Sequence, residues 1–223
     1  MRDKSIKNKQ LAKERAITER KQANRRETGS ALIVCEGECT EPYYLNGLLH
    51  HLDINSASVE IIQGQAKSNA VAVVNRARER FIQAPRDRIF VLIDAEQDDL
   101  NKALKLCNTP LQRSIKKKDL SEIRIEPIIS TPCFEVWLLL HFRFCDQPFA
   151  TYDNVLPVLQ KELPNYTKSD RDIFTKVGRA EGLQRALQNA PRLRDSINKT
   201  GATSPSTYMD SLVVALQDIA PKD

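Results

Sequence analysis

The sequence predicts an α/β domain built on an open, mostly parallel sheet flanked by helices, with a helical C-terminal part from about residue 150. Three observations carry this prediction. Short apolar runs at 31–35 and 89–93 have the length of buried strands, and helical periodicity follows the first within a few residues. Strand-like and helix-like stretches then alternate, the pattern that lays parallel strands side by side with crossovers between them. Beyond residue 150 the apolar spacing is that of short helices.

Ahead of the first strand, residues 1–29 make a basic arm. They hold ten Lys or Arg against four acids, out of 34 basic and 29 acidic residues in all, which leaves 24 against 25 in the rest. The net charge of +5 therefore belongs to the arm. Ile6, Leu11 and Ile17 are too far apart for a continuous apolar stripe, so a mobile or marginally helical arm is expected. Arg20, Lys21, Arg25 and Arg26 are its candidate nucleic-acid-binding residues, because clustered cations are drawn to a phosphate backbone without reading sequence. The plainer alternative is a solvated helix that rests its few apolar side chains on the body or a partner.

Ala31 to Cys35 read as a buried strand that stops at Glu36-Gly37, and Tyr44, Leu45 and Leu48 set a helix over about 41–51. SASVEII at 56–62 reads as a strand. Val71, Val74, Ala77 and Phe81 then give a helix over about 68–83 that Pro85 ends. Ile89 to Ile93 form the next strand and lead into Asp94-Ala95-Glu96, with Asp98 and Asp99 close behind. Helices are expected at 98–107 and 110–118, the second with Lys116, Lys117 and Lys118 at a solvated end. EIRIEPIIS at 122–130 is expected as a strand closing at Ser130. In STPCFEVWLLLHF, Ser130 or Thr131 is placed to cap a helix, Pro132 suits its first turn, and Glu135 falls where the helix dipole favours an acid. A helix at about 151–161, interrupted by Pro157, is followed by one at 178–191 that Pro191 ends. An exposed connector over 191–204 then leads to a last helix capped by Ser204, with Pro205 first and Met209, Leu212, Val213 and Leu216 buried.

Two strands that end in acids are informative, since ligands of an open α/β sheet bind in the crevice at the C-terminal strand ends. Glu36 alone reads equally well as a cap or a loop residue. Carboxylates gathered at one edge raise each other's pKa unless a cation neutralises them, and hard divalent cations take such oxygen ligands. Asp94 and Glu96, alternate residues of an extended chain, share a face and can address one cluster. Glu41 is either a further ligand or the start of a helix. His141 fits a hydrogen-bonded structural role better than that of a general base. Five cysteines without Cys-x-x-Cys pairs read as buried free thiols, and no zinc-site spacing joins them to the histidines. With no apolar run of about 18 residues and no secretory leader, the chain is expected to be soluble and cytoplasmic. It carries no GxxxxGK[ST] phosphate loop, so ATP-driven control would come from a partner.

The strand ending in Glu36-Gly37 and the one ending in Asp94-Ala95-Glu96 together resemble the Toprim domain, the magnesium-binding fold of topoisomerases, primases and OLD-family nucleases. EGECTEPYYLNGL at 36–48, STPCFEVWLLLHF at 130–142 and SPSTYMDSLV at 204–213, in that order, resemble the RloB family, small Toprim-like proteins associated with bacterial defence loci. The resemblance runs from about residue 30 to the C-terminus and makes 30–223 the Toprim-like unit. Glu96 departs from the usual Asp-x-Asp, keeping the charge on a longer arm. The resemblance implies Mg2+, with Mn2+ as a substitute, held by Glu36, Glu41, Asp94, Glu96, Ser130 and Glu135. Ser130 and Glu135 look like the serine and glutamate that help hold a second ion in OLD-type nucleases. Lys168, with Lys176 as the alternative, looks like the lysine that balances charge on a phosphate. Glu36, Asp94, Glu96 and Lys168 are the catalytic residues so implied. The expected activity is metal-dependent endonucleolytic cleavage of DNA or RNA, tRNA included, in antiviral defence by abortive infection. The other reading is a non-catalytic metal- or nucleic-acid-binding subunit. That second reading has an ABC- or AAA-type ATPase partner in control; for the nuclease the same partner is open, as is an oligomer. A topoisomerase is disfavoured, because the chain has no room for a separate domain with a nucleophilic tyrosine.

Overall fold

The computed structural model describes residues 29–65, 68–96, 98–116 and 119–221. Arg20, Lys21, Arg25 and Arg26 of the basic arm, and Lys117 and Lys118 of the lysine triplet, lie outside the described residues.

The chain runs β1 (Ala31–Val34), α1 (Thr40–His51), β2 (Val59–Ile62), α2 (Ala70–Gln83), β3 (Arg88–Asp94), α3 (Leu100–Asn108), β4 (Leu111–Lys116), β5 (Asp119–Ile123), β6 (Ile125–Thr131), α4 (Glu135–Leu140), α5 (Tyr152–Glu162), α6 (Ile173–Lys176), α7 (Arg179–Thr200), β7 (Ser206–Thr207) and α8 (Met209–Ile219). The central sheet has the order β2-β1-β3-β6-β7. Its first four strands are parallel, and β7 is antiparallel to β6 through Ser130↔Thr207 and Thr131↔Ser206. This is the helix-flanked α/β sheet that the sequence predicts.

Strand residues alternate between the two faces, and each face finds its helices. Leu32, Val34, Ile89, Val91 and Ile93 pack with Val73, Val74, Ala77 and Phe81 of α2 and with Ala103 and Cys107 of α3. Ala31, Ile33, Phe90, Leu92 and Ile128 pack on the other side with Tyr44, Leu45 and Leu48 of α1, the apolar body of α4, and the buried stripes of α7 and α8. Truncating the fully buried Phe81 to Ala would cost about 3–5 kcal/mol. The start of α2 is fixed twice. Asn69 accepts the Ala72 N–H at 2.9 Å, and Asp99, arriving after β3, accepts the Val71 N–H at 3.0 Å.

Several elements differ from the sequence reading, each because pairing or burial overrides a local signal. Residues 111–116 form a strand rather than a helix, paired antiparallel with β5 from Leu111↔Ile123. The strand expected over 122–130 is accordingly divided, β5 ending at Ile123 and β6 beginning at Ile125. Pro127 is tolerated inside β6 because it shares a side with Ile129, whose carbonyl bonds Tyr208 N–H on the outer edge, away from β3. Ser130 and Thr131 do not cap α4. They remain in β6, held by β7, and the helix begins at Glu135. Likewise Ser204 donates to the Phe149 carbonyl instead of capping, and α8 starts at Met209 because Ser206 and Thr207 are paired. Pro157 and Pro191 interrupt neither α5 nor α7. The supposed connector over 191–204 is mostly helix as far as Thr200, carried by the buried stripe Ala186, Ala190, Leu193 and Ile197.

All five cysteines are free, four of them buried and Cys39 partly exposed. No helix among the described residues is long and apolar enough to cross a membrane.

Candidate functional site

β1 and β3 are paired from Ala31↔Arg88 to Val34↔Val91 and leave the sheet at the same edge. The acids that follow them are joined directly. Glu36 Oε2 accepts the Asp94 N–H at 3.1 Å, which ties the end of one strand to the end of the other. At Gly37 the chain turns toward α1, and the Gly37 N–H donates to Glu41 Oε2 at 2.8 Å. The loop after β2 passes close behind, with Gly64 N–H bonded to the Gly37 carbonyl at 2.9 Å. A Cβ at Gly64 would stand 1.7 Å from the Glu36 carbonyl oxygen, so only glycine permits this approach.

The opposite wall comes from α4 and from the segment between α5 and α6. Glu135, 2% exposed, opens α4. Its Oε1 accepts from the Tyr166 hydroxyl at 2.7 Å and lies 3.9 Å from Lys168 Nζ. Lys168 also stands over the Tyr152 ring, 3.9 Å from its centroid, while its carbonyl accepts from Thr40 Oγ1 at 3.0 Å. The result is a cleft of about 420 Å³. Among the described residues six acids (Glu36, Glu38, Glu41, Asp94, Glu96 and Glu135) and one lysine, Lys168, line it.

Electrostatics follow from that imbalance. Burial pushes Glu36 up to about 7, with Asp99 and Glu96 adding to the rise against the Asp94 N–H and Lys168. Burial and the charges of Glu36 and Glu135 raise Glu41 to about 8. Asp94 lies well above the usual carboxylate range through burial and the neighbouring Glu41, Glu135 and Glu36. Burial opposes the charge on Lys168, but Glu135 and Asp94 outweigh it and hold the ammonium above its ordinary value. Such a cluster is stabilised by protons or by a cation, and carboxylate oxygens suit a hard divalent ion. The fit is one of charge and donor type rather than of preset geometry. Among the described residues no group of three or more His, Cys, Asp or Glu is arranged to hold a metal ion. Glu36, Glu41 and Glu135 each direct an oxygen to a protein donor instead.

The family model described as RloB-like protein matches residues 31–216, from the first residue of β1 into α8. The chain belongs to the RloB-like family. No curated protein and no solved structure matches it. In this RloB-like chain all the cleft acids and Lys168 fall inside the matched span.

Of the residues singled out in the sequence, Glu36, Glu41, Asp94, Glu96, Glu135 and Lys168 are brought together. Glu96 reaches the cleft from an exposed turn, since β3 ends at Asp94. Ser130 sits beside Asp94 in register but does not line the cleft; its buried hydroxyl pairs with Thr207 Oγ1 at 2.9 Å. Lys176 is not there either, its Nζ lying 2.5 Å from Asp170. His141 is fully buried with Nε2 3.0 Å from the Tyr44 hydroxyl, and burial lowers it to about 3, as befits a neutral structural histidine. Sequence reasoning gave no role to Thr40, Tyr152 or Tyr166. The available signal was slight: a tyrosine two residues before Lys168, and a threonine beside Glu41.

Proposed function

We propose that this RloB-like protein is a Mg2+-dependent endonuclease of Toprim type. It hydrolyses phosphodiesters of DNA or RNA as an effector of bacterial anti-phage defence, under the control of an ABC- or AAA-type ATPase partner. One observation carries the reading: Glu36 and Asp94, from adjacent parallel strand ends, meet in a single cleft with Glu41, Glu96, Glu135 and Lys168. Family membership and the strand-end acids Glu36-Gly37 and Asp94-Ala95-Glu96 support it.

Glu36, Asp94, Glu96 and Glu135, with Glu41 beside them, would hold the cation, and Mn2+ would substitute for Mg2+. A divalent ion supplies positive charge for a phosphodiester to dock against and acidity for the attacking water. The chain's own groups do the rest. The Asp94 and Gly37 N–H groups orient Glu36 and Glu41 before any substrate arrives. Lys168, steadied by Glu135 and Tyr152, is placed to offset charge developing on the phosphate.

A second reading, a non-catalytic metal- or nucleic-acid-binding subunit under the same ATPase, is favoured by one observation. Glu36, Glu41 and Glu135 already accept hydrogen bonds from the chain's own donors, so these acids have structural partners that require no catalysis. The deciding experiment incubates the protein, with and without any ABC- or AAA-type ATPase that its genomic neighbourhood encodes, with plasmid DNA and total RNA in Mg2+ or Mn2+. Cleavage by the wild type that disappears in both Glu36→Ala and Asp94→Ala supports the nuclease. Cation binding without cleavage, even with the ATPase present, supports the second reading.

A further inference from the structure

We propose that Tyr166 is the positioning residue of this cleft, setting the orientation of the Glu135 carboxylate toward a bound cation. The inference rests on reading the cleft as a cation site. Tyr166 is 4% exposed and is absent from the cleft lining, so whatever it contributes must pass through a neighbour. A buried tyrosine needs a partner for its hydroxyl. Tyr166 has two at hand: Glu135 Oε1 at 2.7 Å and Thr40 Oγ1 at 3.3 Å.

Proton accounting decides between them. Each hydroxyl has one hydrogen to give. Thr40 gives its hydrogen to the Lys168 carbonyl at 3.0 Å, and the shorter contact to an acidic acceptor takes that of Tyr166. No hydrogen is left for the 3.3 Å contact, so the direction of the network is fixed and Glu135 is its receiver. Glu135 Oε1 is thereby held from two sides, by Tyr166 at 2.7 Å and Lys168 at 3.9 Å. Tyr166 and Lys168 stand two residues apart, so a single short segment carries both the lysine of the cleft and the hydroxyl that holds one of its acids. Thr40 anchors that segment to the first turn of α1, where Glu41 stands. Groups behind a ligand that orient it in this way are worth about 10–100-fold in metal affinity.

The test is Mn2+ binding to the full chain by titration calorimetry, in wild type, Tyr166→Phe, Glu135→Gln and the double variant, with melting curves alongside. Phe keeps the buried ring and removes only the hydroxyl. Tyr166→Phe is expected to melt within a few degrees of wild type and to bind Mn2+ about tenfold more weakly. The double variant should bind no more weakly than Glu135→Gln alone, because the hydroxyl then has no carboxylate to orient. A Tyr166→Phe affinity within twofold of wild type, or a penalty of equal size with Gln at 135, overturns the inference and makes Tyr166 a packing residue, leaving the cation site standing. Wild-type binding that is absent, or indifferent to Glu36→Ala and Asp94→Ala, removes the cation reading itself and this inference with it.

Discussion

Acids on the flanks of the sheet and acids in the cleft are the same side chains in opposite circumstances. Glu60 on β2 meets Arg80 at 2.7 Å and Arg86 at 3.3 Å, Glu126 on β6 meets Arg88 at 2.6 Å, and Asp210 on α8 meets Arg194 at 2.7 Å. Each of these three acids has at least one guanidinium of its own. Partial burial works against the charge on Glu60, yet its two arginines bring its carboxyl below the ordinary value. In the cleft six acids share Lys168, and Glu36, Glu41 and Asp94 move the other way. The difference separates acids whose charge the fold balances with a neighbouring guanidinium from acids that it crowds around one lysine, and perturbed carboxyls of the second kind gather at functional sites.

Substituting a cleft acid should give the largest effect. Asp94→Asn is expected to lower cation-dependent cleavage at least about hundredfold, more than loss of an outer-shell partner commonly costs. In the same variant, melting without divalent ion at pH 8 should not move downward, because a neutral group of the same shape replaces a buried carboxyl that burial and the neighbouring Glu41, Glu135 and Glu36 disfavour in its charged form. A lower melting temperature under those conditions would break the contrast between the two sets of acids.

Lys168→Met comes next. Removing one preorganised charge is expected to slow turnover about hundredfold, while Mn2+ binding is retained or tightened, which kinetics and calorimetry on one preparation separate. Smaller again is a pH effect on stability. Glu36 at about 7 and Glu41 at about 8 are raised from the ordinary 4.5, so their stabilising contribution is complete below about pH 4.5 and is lost as pH rises through 7 to 8. The melting temperature of the ion-free protein should therefore fall between pH 5 and 8 (roughly the window these two values span). Saturating Mg2+ should flatten that fall, and scanning fluorimetry in a pH series reads both. The smallest effect belongs to the flank. Glu60→Gln is expected to cost about 0.5–1 kcal/mol, or about 1–4 °C in melting temperature, with cleavage unchanged.

How much of this was legible in advance depended on the range of the signal. The ends of β1 and β3 announced themselves because apolar runs stop abruptly at acids, and adjacent parallel strands bring Glu36 and Asp94 together without further help. Glu135 was legible through its motif, although its helix starts later than cap residues suggested. Residues that depend on pairing far along the chain were not. Ser206 and Thr207 make a strand only because β6 lies beside them, and that pairing takes Ser130 away from the cleft. Thr40 and Tyr166 are 126 positions apart, and no periodicity relates them. The continuation of α7 was readable in principle, since Ala190, Leu193 and Ile197 extend the spacing of Ala186 straight through Pro191, but the proline outweighed the stripe.

The alignment of β1 on β3, Ala31↔Arg88 through Val34↔Val91, limits how this protein can change. Side chains of a strand alternate with period two, so deleting one residue within Arg88–Asp94 would reverse every side chain on one side of the gap. Asp94 would turn toward the layer of α2 and α3, or the apolar residues before it would exchange faces. Single-letter replacement can thus reshape the acid cluster gradually, whereas gain or loss of a single residue in either of these two segments undoes the core and the cluster in one event.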